Sequence, residues 1–165
     1  MRFLNSKLKI ENTILQNIAK KYGTPAYCYS YKQLRENIND FKKNFKSISP
    51  LICFAIKSNT NLNLIKEIKK FGLGADVVSM GELMLALKAG ISPKKIVFSG
   101  VGKTSKEINF AIDKNILLIN SESKSEIIEI DKIAKIKKKQ VNIGIRLNPN
   151  TCLLYTSPSP RDLAQ

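Results

Sequence analysis

Five short apolar runs recur along the chain: Leu51–Ile56 (LICFAI), Ala75–Val78 (ADVV), Ile96–Phe98 (IVF), Ile116–Ile119 (ILLI) and Val141–Ile145 (VNIGI). They are rich in β-branched residues, and their starts fall 20–25 residues apart. That interval holds a strand, a loop, an amphipathic helix and a return loop, the unit that joins neighbouring parallel strands. Continuous apolar runs suit strands covered on both faces. The repeat predicts an α/β architecture. A doubly wound sheet and a (β/α)8 TIM barrel are both compatible with it, and the regular interval favours the barrel. A complete barrel takes about 200–250 residues. The 165 residues here would hold a partial (β/α)8 TIM barrel, about five of the eight strands.

The segments between the runs are punctuated as helices. Ser79…Glu82, Thr104…Glu107 and Ser123…Glu126 have the form of capping boxes, and Ser30…Gln33 is the glutamine version. The helix after Ser79 is expected to place Leu83, Met84 and Leu87 on one face and to end before Gly90. Another helix runs from near Asn61 to Phe71-Gly72. Ahead of the repeat come a helix over Thr13–Tyr22, a Gly23-Thr24-Pro25 break and a strand-like run Ala26–Tyr29. Three segments follow: a lead-in over 1–25, the partial barrel over 26–150, and a tail over 151–165. Residues 152–165 contain no Lys and no Ile and carry Ser-Pro-Ser-Pro, so the tail is expected to be non-native or disordered.

Composition removes several functions. With no His, this chain builds neither a His-based triad nor a His-ligated zinc site. Cys28, Cys53 and Cys152 form no CxxC pair, and their sparse, odd count suits free thiols in a reducing compartment. Formal charge is +15, but Lys supplies 24 of the 28 basic residues and is spread along the sequence. Nucleic-acid interfaces favour Arg and stacking aromatics. The charge therefore reads as solvated helix faces, and no nucleic-acid partner is expected. No signal peptide or membrane span is legible, which predicts a cytoplasmic protein.

Candidate chemistry lies where strands end. Lys57 stands directly after LICFAI. In an apolar barrel mouth its amine would lose hydration and become a nucleophile for an aldehyde. Asp76 lies in ADVV, and Arg146 follows VNIGI. Asn120-Ser121-Glu122 ends the fourth run and either faces the same mouth or forms a capping turn. Gly100-Val101-Gly102-Lys103-Thr104 suggests a phosphate loop. The glycine that a Walker motif needs earlier is replaced by Val97 inside a strand, which argues against nucleotide hydrolysis.

These residues resemble a known family. Ala55-Ile56-Lys57-Ser58-Asn59 is similar to the A-x-K-[AS]-N signature of the fold-type III pyridoxal-phosphate-dependent decarboxylases. Gly72–Leu83 (GLGADVVSMGEL) resembles their G-x-G-A-D-V-V-S-x-G-E-L block. Ile96–Thr104, Glu107-Ile108 and Arg146-Leu147-Asn148-Pro149 continue the series in order. Met80 stands where the family often has Gly. Order and spacing most resemble the diaminopimelate decarboxylase branch, which implies an alanine racemase-like barrel and a carboxy-lyase. Its reaction converts meso-2,6-diaminopimelate to L-lysine, and its working form is a homodimer. Ornithine or arginine decarboxylation is the near alternative; a noncatalytic basic cofactor- or nucleic-acid-binding protein is the remote one. The resemblance implies that Lys57 holds the aldehyde of pyridoxal 5'-phosphate and that Asp76 and Arg146 bind around that cofactor. The family's His-bearing stacking strand, glycine-rich phosphate loops and second domain have no counterpart here, which implies a truncated, inactive piece.

Overall fold

A computed structural model describes residues 2–4 and 7–147 of the chain. The tail over 151–165 lies outside the described residues. The chain divides into two compact units, one ending at Pro50 and the other beginning at Leu51.

The first unit opens on a small antiparallel meander of β1 (Arg2–Leu4), β2 (Lys7–Ile10) and β3 (Thr13–Ile14). It continues into α1 (Leu15–Tyr22) and, after an irregular stretch, α2 (Tyr31–Asn44). Two expectations change here. Thr13 and Ile14 belong to a strand paired with β2, so the helix starts at Leu15. Ala26–Tyr29 forms no strand, and Tyr27 is exposed. At the start of α2 the Ser30 hydroxyl oxygen accepts from the Gln33 N–H at 3.0 Å, as the cap requires. Its proton goes to Glu11 Oε1 at 2.7 Å, and the Lys32 N–H donates to the same oxygen at 2.8 Å. These bonds, the backbone one foremost, hold the Glu11 carboxyl below its usual range.

In the second unit five parallel strands pair in chain order: β4 (Cys53–Ala55), β5 (Gly74–Val77), β6 (Ile96–Phe98), β7 (Leu118–Ser121) and β8 (Ile143–Ile145). The crossovers after β4 to β7 are α3 (Leu62–Lys70), α4 (Met80–Lys88), α5 (Ser105–Asp113) and α6 (Lys124–Lys137). A doubly wound sheet reverses its order at a switch point. Strictly sequential order has no such reversal, and it is the winding of a barrel wall.

Period-2 alternation separates the two faces of this sheet. Ala75, Val77, Ile96, Phe98, Ile119 and Ser121 point one way and are fully buried. All but Ser121 belong to one core cluster with Ile65, Leu83, Ala86, Ile108, Ala111 and Ile130 of the helices. Each large aliphatic or aromatic side chain buried there contributes about 1.5–3 kcal/mol. Asp76, Val97, Ser99, Leu118 and Asn120 face the other way and are only half-buried. Continuous apolar runs therefore overstated the cover: one face is sealed by helices, and the other carries the polar groups.

The helix caps form as the sequence predicts, with a refinement. Thr104 and Glu107 make a full reciprocal capping box. Ser79 and Ser123 accept from the Glu82 and Glu126 N–H groups. Those two glutamates, however, reach one residue further back, to the Val78 N–H at 2.9 Å and the Glu122 N–H at 2.8 Å. On α4 the buried positions are Leu83 and Ala86, with Leu87 half-buried, whereas Met84 is exposed. Residues 83 and 84 are about 100° apart on a helix, too far to share a narrow core face. Gly90 ends the helix in the left-handed region at φ +87°, with the Ile91 N–H returning to the Ala86 carbonyl at 3.1 Å.

Candidate active site

The carboxyl ends of the five strands lie side by side, and each brings a polar group to one cleft of about 460 Å3. Its lining includes Lys57 after β4, Asp76 of β5, Ser99 after β6, Asn120 of β7 and Arg146 after β8. That volume falls within the roughly 300–1,000 Å3 of small-molecule sites. Lys57, Asp76 and Arg146, the three residues singled out from sequence, thus share one mouth.

Lys57 sits in a single 3-10 turn, Ile56–Ser58. Buried Ile56 pins the turn from below, and the Ser58 hydroxyl closes it on the Ala55 carbonyl at 2.7 Å. The lysine side chain is exposed. The expected dehydrating apolar mouth is not what surrounds it. Asp76, Ser99, Asn120, Glu122 and Arg146 dominate the lining, so the mouth is polar.

Asp76 is half-buried and accepts a hydrogen bond from the Ser99 hydroxyl at 2.6 Å; Ser99 in turn accepts from Asn120 Nδ2 at 3.0 Å. One strand residue lies between Asp76 and Gly74, which pairs with Cys53 of β4. Burial first, then the Asp76 charge, pushes the Cys53 thiol up. Arg146 continues the ladder beyond β8 through its N–H to the Ser121 carbonyl at 3.0 Å. Its guanidinium is 63% exposed and reaches Glu122 Oε1 at only 3.4 Å, a contact that leaves it available to an anionic group.

Beneath the mouth lies a lysine whose burial the sequence did not reveal. The Lys103 side chain is 1% exposed. Its ammonium donates to the Gly100 carbonyl at 2.7 Å, the Asn120 carbonyl at 2.6 Å and Glu126 Oε1 at 3.1 Å. The Gly-Val-Gly-Lys-Thr segment is thus an internal tie, with its lysine consumed by protein acceptors. Glu107 ties two helices in a similar way. Its Oε1 accepts the Met80 N–H of α4, while Oε2 accepts the Thr104 N–H and hydroxyl at the start of α5. The Thr104 backbone bond foremost, then the Met80 bond, hold its carboxyl below the usual range against the opposing effect of burial.

The donor set suits an aldehyde cofactor. An accessible primary amine, a fixed carboxylate and a lightly engaged guanidinium meet the needs of a reactive carbonyl on a ring that carries opposite charges. Among the described residues no cluster of three His, Cys, Asp or Glu could hold a metal ion. None of the described helices is long and apolar enough to cross a membrane.

Fold and site together define a barrel-wall domain that presents an amine at the carboxyl ends of its strands. The chain belongs to the pyridoxal-dependent decarboxylase family, matching its pyridoxal binding domain over residues 31–157. It is 43% identical over 150 residues to a diaminopimelate decarboxylase of Aquifex aeolicus, covering 91% of this chain and 35% of that protein. The crystal structure of diaminopimelate decarboxylase from M. jannaschi superposes with a TM-score of 0.88 at 36% identity, over 95% of this chain and 37% of that one. The Helicobacter pylori diaminopimelate decarboxylase complexed with L-lysine gives a TM-score of 0.79 at 41% identity, over 82% and 34% of the two chains. The fold is accordingly the alanine racemase-like barrel of these enzymes, with five parallel strands of an open wall among the described residues. The chain spans about a third of the length of the relatives it matches.

Proposed function

We propose that the protein is a pyridoxal-phosphate-dependent carboxy-lyase that converts meso-2,6-diaminopimelate to L-lysine and carbon dioxide. The observation that carries this reading is the convergence of Lys57, Asp76 and Arg146 on one cleft at the strand ends. Pyridoxal phosphate, when bound, supplies the electron sink for the carbon that loses its carboxylate. Lys57 would hold the cofactor through its amine, which its exposed position leaves accessible to a substrate amine. Asp76, held by the Ser99 hydroxyl, would supply negative charge to a cation at the Lys57 nitrogen, which lines the same cleft. Arg146 supplies a guanidinium to a phosphate or carboxylate.

The choice of substrate rests on the relatives, which are named diaminopimelate decarboxylases at 38–44% identity. L-lysine, the product of that reaction, is bound in the Helicobacter pylori structure. Residues 26–150 carry the cofactor-binding barrel, and the protein works as a cytoplasmic homodimer without a nucleic-acid partner. In the intact protein, added pyridoxal phosphate should give an absorbance band. Borohydride should then fix the cofactor mass on the peptide containing Lys57. Lys57→Ala should abolish both, and carbon dioxide release should be faster from meso-diaminopimelate than from ornithine or arginine. A band and an adduct unchanged by Lys57→Ala refute the assignment of Lys57; preference for ornithine or arginine refutes the substrate.

A further inference from the structure

We propose that Ser99 and Asn120 are positioning residues that lock the Asp76 carboxylate in one orientation at the mouth beside Lys57. The proposal rests on the functional reading above and extends it from Asp76 to the residues that hold its carboxylate.

Proton accounting sets the direction of the chain. A serine hydroxyl has one proton to give. Asn120 Nδ2 donates to the Ser99 oxygen at 3.0 Å, so the Ser99 proton is free to point at Asp76 Oδ1, 2.6 Å away. That distance lies in the range of a hydrogen bond to an ionised acceptor, the stronger kind. The three residues come from three neighbouring segments held by the parallel ladder. Asp76 pairs with Val97, the Ser99 N–H donates to the Val77 carbonyl at 2.8 Å, and Asn120 pairs with Gly144.

The far end of the chain is held as firmly. The Asn120 carbonyl accepts from the buried Lys103 ammonium, which fixes the backbone that carries the amide. Its side-chain oxygen occupies the space in which a Cβ on Gly144 would sit. The missing side chain at position 144 thus makes room for the amide that orients Ser99. A lone aspartate would sample several rotamers. One tied through two donors to a buried cation meets the bound group already aligned, which is how preorganised charge acts in a site.

The test uses the intact protein and pyridoxal phosphate itself. Dissociation constants and the pH dependence of the bound-cofactor absorbance are measured for Ser99→Ala, Ser99→Thr, Gly144→Ala and Lys57→Ala, with melting temperature as the control for folding. Ser99→Ala should weaken binding about tenfold or more, the effect of losing a hydrogen bond to a charged group. It should also move the absorbance transition to lower pH, because a loosened carboxylate stabilises a cation at the Lys57 nitrogen less well. Ser99→Thr, which keeps the hydroxyl, should restore most of both. Gly144→Ala removes no polar group, yet it should act in the same direction by displacing the Asn120 amide. If Ser99→Ala does not fold, Ser99→Cys, close in shape and a weak donor, is read in its place. Variants whose melting temperature falls while affinity and pH profile stay at wild-type values overturn the positioning role. A band that survives Lys57→Ala overturns the underlying functional reading instead.

Discussion

Replacing Lys103 with methionine tests how much of the unit depends on one buried charge. The ammonium is 1% exposed and satisfies three acceptors: the carbonyls of Gly100 and Asn120 and the carboxylate of Glu126, itself 8% exposed. Methionine keeps much of the volume and removes every donor. Breaking a buried pair from one side costs about 3–5 kcal/mol, because the remaining charge stays desolvated. The two carbonyls lose partners as well, but those losses overlap with the first and do not simply add. Glu126 keeps the Glu122 N–H at 2.8 Å, which limits the damage at its other oxygen. We therefore expect a loss of about 4 kcal/mol, a large share of a total of about 5–15 kcal/mol. In urea, at a slope of about 2 kcal/mol per molar, the midpoint should fall by about 2 M. Glu126→Gln alone strands the cation and should also destabilise. The double variant Lys103→Met/Glu126→Gln should be less damaged than the sum, with a coupling of about 1–3 kcal/mol. A Lys103→Met midpoint near wild type, or strict additivity in the cycle, would refute the argument that this charge is held by its partners.

Two further outcomes follow from groups whose ionisation is shifted. Glu107 has a folded value below the ordinary 4.5, so its contribution is complete above that pH and is lost as pH falls through the lower folded value. Glu107→Gln should flatten the acid limb of a plot of thermal midpoint against pH; a wild-type slope in the variant refutes this. Cys53 has a thiol pushed above the ordinary 9.0 by burial and then by Asp76, so it should alkylate slowly at neutral pH. Asp76→Asn should quicken that alkylation, and an unchanged rate would remove Asp76 as a cause.

Most of the second unit was legible because its strands are short and buried on one face, and because its helices begin with acceptor side chains. Ile96–Phe98 emerged with its sequence boundaries intact. The fourth run did not. Ile116 and Leu117 are apolar but precede the strand, which runs Leu118–Ser121. Hydrophobicity reports burial, and Ile116 is buried; the ladder is decided by backbone partners, which the run itself does not reveal. That two-residue shift brings Asn120 into the strand, where its side chain reaches Ser99. The opening meander is only faintly marked: Lys7-Leu8-Lys9-Ile10 alternates polar and apolar residues as a strand should, but over four residues alone. Lys57, Asp76 and Arg146 were recognisable as strand-end residues. Ser99 and the burial of Lys103 were not, because a serine after a strand and one lysine among 24 carry no mark of their own. Only the register of neighbouring strands shows what they touch.

Sequential winding gives the site a modular construction. Each strand brings its own functional group at its carboxyl end, and the ladder of hydrogen bonds that spaces these groups is made by the backbone, indifferent to side-chain identity. Chemistry at the rim can therefore be rewritten one strand at a time while the wall below stands. A substitution at one strand end would then alter that group alone and leave the spacing of its neighbours unchanged.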